Sequence, residues 1–113
     1  MVQKFPHNKL IRDNIPEVIE KAGGKYETKV LNDDELDVEL RKKLLEETNE
    51  ILESSDEHLP EELADALEVI ESLAETHGLK LSDIQKIQEE KRGKRGGFKK
   101  KLFLIWSTQP SGK

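Results

Sequence analysis

The sequence contains no cysteine, which excludes disulfides and thiolate metal sites and leads to the expectation of a cytoplasmic protein. Aromatic residues make up 4% and hydrophobic residues 34% of the chain, thin material for the core of a self-sufficient monomer. Amphipathic helices of such composition complete their cores by association, so a homodimer or higher homo-oligomer is expected. No apolar run approaches the roughly 20 residues of a membrane span, and the first residues lack a signal-peptide core. There is no phosphate-binding P-loop, no dinucleotide fingerprint and no Ser/His/Asp constellation. A formal net charge of −5 argues against nonspecific nucleic-acid binding.

What the chain has in abundance is charge, at 38% of residues, and its placement is informative. The stretch Lys43-Leu44-Leu45-Glu46-Glu47-Thr48-Asn49-Glu50-Ile51 is answered after a short loop by Glu61-Glu62-Leu63-Ala64-Asp65-Ala66-Leu67. Both have helical periodicity, and each carries an acid pair three residues apart, Glu47 with Glu50 and Glu62 with Asp65. Residues at that spacing share one helix face, so an antiparallel hairpin would gather four carboxylates at one spot.

In so charged a chain, an acid pair of this kind is ordinarily a solvated helix surface. The helical wheel speaks against that here. At about 100° per residue, Leu36, Leu40, Leu44 and Ile51 form one apolar side, and Glu47 falls inside it, with Glu50 at its edge. On the second helix Leu59, Leu63, Ala66, Leu67, Val69, Ile70 and Leu73 form the arc. Glu62 lies within it and Asp65 just past its rim, while Glu61, Glu68, Glu71 and Glu75 face away. A carboxylate buried without a partner costs several kcal/mol, so these acids should be protonated, paired or bound to metal. Hard oxygen donors without cysteine or a nearby histidine select Mg²⁺, with Mn²⁺ as an alternative, giving Glu47, Glu50, Glu62 and Asp65 as candidate ligands.

A mainly α fold follows, a single domain over 1–113 with 107–113 as a frayed tail. The pattern predicts a short helix over 15–22, stopped by Gly23-Gly24, and long helices over 33–53 and 60–77, the first opened by an Asn32/Glu35 capping box. A further helix over 82–92 should be capped by Ser82 with Gln85. His77 reads as a partner of a helix C-terminus rather than a ligand. Residues 26–30 alternate with period two, and 98–106 have β-forming residues, so a short two-stranded ribbon packed on the helical bundle is expected. Two basic clusters remain. Lys9 and Arg12 near the start, and Lys91, Lys94 and Arg95 before Gly96-Gly97, are candidate substrate contacts, with a surface ion pair and a helix-dipole pattern as their respective alternatives.

Taken together, these residues carry a resemblance. The order Glu47-x-x-Glu50, eleven intervening residues and Glu62-x-x-Asp65 resembles the all-α nucleotide pyrophosphohydrolases of the MazG-like superfamily. Asn8-Lys9-Leu10-Ile11-Arg12-Asp13-Asn14-Ile15-Pro16 and Lys94-Arg95-Gly96-Gly97-Phe98 are similar to a narrower, phosphoribosyl-ATP pyrophosphohydrolase-like branch, from which Asn14 departs where a lysine is expected. The resemblance spans most of the chain, from about residue 9 to 105. It implies Mg²⁺-dependent cleavage of a nucleoside triphosphate between its α- and β-phosphorus, giving a monophosphate and pyrophosphate. One of the acids Glu47, Glu50, Glu62 and Asp65, or Glu46, is expected to orient the attacking water, with Glu46, Glu47 and Glu50 as the candidate catalytic residues. Hydrolysis of phosphoribosyl-ATP is the nearest rival, and a non-catalytic helical interaction module is the alternative from another class.

Overall fold

A computed structural model describes residues 3–108. Among them there are four helices and no strand, in the order α1 (Ile15–Lys21), α2 (Asp33–Glu53), α3 (Leu59–Thr76) and α4 (Leu81–Arg95). The chain divides into two compact units between Leu81 and Ser82. No helix among the described residues is long and apolar enough to cross a membrane.

In the first unit, local chemistry sets the helix ends. Asn32 Oδ1 accepts the Glu35 backbone N–H at 2.8 Å while Glu35 Oε1 accepts that of Asn32 at 3.1 Å, the reciprocal capping box the sequence predicts for α2. Helices α1 and α3 close alike. Gly23 and Gly78 adopt φ +83° and +72°, and the following amides, of Gly24 and Leu79, donate back to the carbonyls of Ile19 and Ala74. A β-carbon in that left-handed conformation is strained, which suits glycine to both stops. A short loop over 54–58 joins α2 to α3, and these two helices pack on each other. His77, just past α3, contacts Asp37, near the start of α2, at 2.6 Å, so the pair runs antiparallel. His77 stands at the C-cap of α3, and its side chain makes this cross-helix contact, which holds the Asp37 carboxyl below its usual range with help from Arg41.

The core is as thin as the composition implies. Leu40, Ala66, Val69 and Ala74 are its buried apolar residues among those described, joined by the side chain of Glu47. Helix α2 presents a second apolar stripe to solvent: Val38, Leu45 and Leu52, seven residues apart, are 50%, 63% and 78% exposed.

The expected β ribbon is not formed. Residues 26–30 have no regular secondary structure, with Val30 fully exposed and the Tyr26 hydroxyl donating to Glu20 Oε1 at 2.7 Å. In the second unit a turn interrupts the other intended strand: the Lys101 amide donates to the Phe98 carbonyl, and Lys101 takes φ +58°. Alternation supplies a strand's period but no partner, and two strands alone are marginal. Helix α4 starts at Leu81, which puts Ser82 inside its first turn rather than at the cap, and it continues past 92 through Gly93 to Arg95. It buries no residue. The part of the tail expected to fray lies mostly outside the described residues, at 109–113.

Candidate metal centre

Antiparallel packing sets the second half of α2 against the first turns of α3, and this register brings the acids together. One carboxylate oxygen from each of Glu47, Glu62 and Asp65 lies within 4.8 Å of the others. Glu50, exposed at the rim, stands beside both Glu47 and Glu62 and adds its charge to theirs. Glu47 is only 6% exposed. Glu47 Oε2 and Glu62 Oε2 are both buried with no hydrogen-bond partner.

Burial first, and then the neighbouring charges of Glu50 and Asp65, push the Glu47 carboxyl above its ordinary range; Lys43 pulls weakly the other way. The Glu62 carboxyl is raised by desolvation, by Glu50 and by Asp65. Such shifts describe acids crowded without enough compensating positive charge. A cation bound by oxygen donors meets that need, and the geometry fits one. Three carboxylate oxygens within 4.8 Å of one another can converge on one ion. Glu47, Glu62 and Asp65 would hold it, with Glu50 in reach of the same cluster.

The N-terminal segment closes one side. The Arg12 Nη2 donates to Asp65 Oδ1 at 2.7 Å, and Lys9 Nζ lies 3.6 Å from Glu46 Oε1. Lys43, one helical turn before Glu47, contacts Glu46 at 3.3 Å and Glu47 at 4.0 Å. Lys9, Ile11, Arg12, Ile15, Lys43, Glu47 and Asp65 together line a recess of about 300 Å³. Asn14, the position departing from the resemblance, sits at the N-cap of α1 without a side-chain capping bond.

The structure thus gathers Glu47, Glu62 and Asp65, with Glu50 adjoining, and sets Lys9 and Arg12 beside acids. Glu46 faces Lys9 and Lys43 rather than the cluster. Lys91, Lys94 and Arg95 are exposed on α4, where the last two complement the helix's C-terminal dipole. Sequence reasoning overlooked Lys43, although its spacing of four from Glu47 was the signal that places a cation over that carboxylate. Set against family models, curated proteins and solved structures, the chain matches none.

Proposed function

We propose that the chain is a divalent-metal-dependent nucleoside triphosphate pyrophosphohydrolase of the MazG-like kind, cutting the α–β phosphoanhydride. The observation that carries this reading is Glu47: a carboxylate with a buried, unpartnered oxygen, set beside Glu62 and Asp65 within the apolar stripe of α2. A stability-driven sequence would place an aliphatic residue there. An Mg²⁺ or Mn²⁺ ion held here would supply charge neutralisation of the polyphosphate and a lowered pKa for water.

The chain's own residues do the rest. Glu47, Glu62 and Asp65 would hold the ion between α2 and α3. Glu50, at the solvent edge of the cluster, orients the incoming water and accepts its proton; Glu46 is less suited, being engaged by two lysines. The water oxygen bonds to one phosphorus of the α–β bridge, and the bridging oxygen leaves with the other. Lys9, Arg12 and Lys43 set positive charge along the recess, which suits an anionic polyphosphate.

The ion pairs Arg12–Asp65 and Lys9–Glu46 favour a second reading, a helical interaction module whose acids only balance its bases. The deciding experiment is pyrophosphate release from canonical and damaged nucleoside triphosphates and from phosphoribosyl-ATP, with Mg²⁺. Glu47→Gln should lower the rate at least about a hundredfold, while Glu68→Gln, exposed on α3, keeps it. No turnover of any substrate, together with no metal binding, would leave the interaction module standing. We also infer that two copies associate through the Val38, Leu45 and Leu52 stripe, since soluble chains cover contiguous apolar surface.

A further inference from the structure

We propose that Arg12 exchanges partners, holding Asp65 in the metal-free protein and passing to a phosphate oxygen of the nucleotide once a divalent cation sits among Glu47, Glu62 and Asp65. This deepens the metal-dependent reading above and rests on it. The Arg12 guanidinium cannot shed its charge, yet it makes its contact to Asp65 Oδ1 at 2.7 Å, an oxygen of a carboxylate that belongs to the metal cluster. A divalent ion on the Asp65 carboxylate repels the guanidinium across it and weakens that contact. The ion, with twice the charge and further donors in Glu47 and Glu62, prevails.

Arg12 is free to move. Its side chain is 57% exposed, and an exposed ion pair holds by no more than a factor of a few. Its carbonyl, accepting from the Ile15 amide at 3.1 Å, keeps the backbone in place while the side chain swings. It also lines the recess with Lys9 and Lys43, so a released guanidinium already stands where a polyphosphate would lie and can grip two oxygens in its planar fork. Metal then prepares the nucleotide site, and by linkage nucleotide tightens the metal.

Mn²⁺ binding, followed by electron paramagnetic resonance with and without an α,β-methylene triphosphate, tests the exchange. Arg12→Gln should bind Mn²⁺ alone about two- to fivefold tighter than wild type, the range an exposed ion pair allows. The further tightening given by the analogue should be smaller in the variant than in wild type. Lys9→Gln removes the same charge from the same recess, but Lys9 pairs with Glu46 outside the cluster, so its gain should be distinctly less. Unchanged or weaker Mn²⁺ binding by Arg12→Gln overturns the exchange while leaving the metal centre intact, and an equal gain in Lys9→Gln reduces it to bulk charge. Wild-type protein that binds no Mn²⁺ overturns the metal-dependent reading itself.

Discussion

Helix α2 carries two apolar stripes that read alike in sequence and fare differently in the fold. The inner one, with Leu36, Leu40, Leu44 and Ile51, faces α3 and surrounds Glu47; the outer one, Val38, Leu45 and Leu52, is at least half exposed. Hydrophobicity does not separate them. What does is the cross-helix register set by the short 54–58 loop and the Asp37–His77 contact, and among the described residues the one charged side chain buried in the packed stripe, Glu47, has an unpartnered oxygen, as does Glu62 across from it. In so small a core, the helix face that supplies burial also carries the crowded acid.

Truncating the two stripes should separate them most sharply. Leu40→Ala, at a residue only 4% exposed, should cost roughly 2–5 kcal/mol of unfolding free energy. Leu45→Ala should stay within about 0.5 kcal/mol at a concentration where the chain is monomeric. Urea titration at fixed, low protein concentration measures both, and equal costs would erase the distinction between the stripes.

A smaller effect tests whether the inner stripe tolerates its acid at a cost. The folded-state pKa of Glu47 is raised, so its protonated form suits the fold. Its contribution is fully present below its unfolded value of 4.5 and is lost as pH rises through the folded pKa. Without metal, Glu47→Gln should therefore melt a few degrees above wild type at pH 7, with the gap closing as pH falls toward 4. Millimolar Mg²⁺ should raise the melting temperature of wild type and narrow the gap from the other side. A pH-independent gap would mean that the variant stabilises by packing, not by relieving charge.

The smallest change in fold stability, and a large one in mass, is expected from Leu45→Lys on the outer stripe. Light scattering at micromolar concentration should give wild type at least twice the 13.0 kDa chain mass and the variant near that mass, with helical circular dichroism unchanged. A monodisperse, fully active wild-type monomer would sink the dimer.

Much of this was legible in the sequence. The span of α2, its capping box, the glycine stops of α1 and α3 and the inward tilt of Glu47 and Glu62 all follow from local spacing, which a single chain displays. What local spacing cannot display is a partner. The period-two residues at 26–30 lacked a neighbouring strand, and the β-forming tail gave way to a turn at 98–101. Arg12 against Asp65 is a pairing across 53 positions, which helix periodicity does not encode. The end expected for α4 at 92 fell short: a glycine inside a helix, here Gly93, costs only about 1 kcal/mol and the helix continues to Arg95.

One consequence of the ion pairs concerns the approach of a ligand. Around the cluster stand the carboxylates of Glu46, Glu47, Glu50, Glu61, Glu62 and Asp65 and the cations of Lys9, Arg12 and Lys43. The acids outnumber the bases, so this end of the helix pair draws cations in and turns back a bare polyphosphate that arrives without its counter-ion.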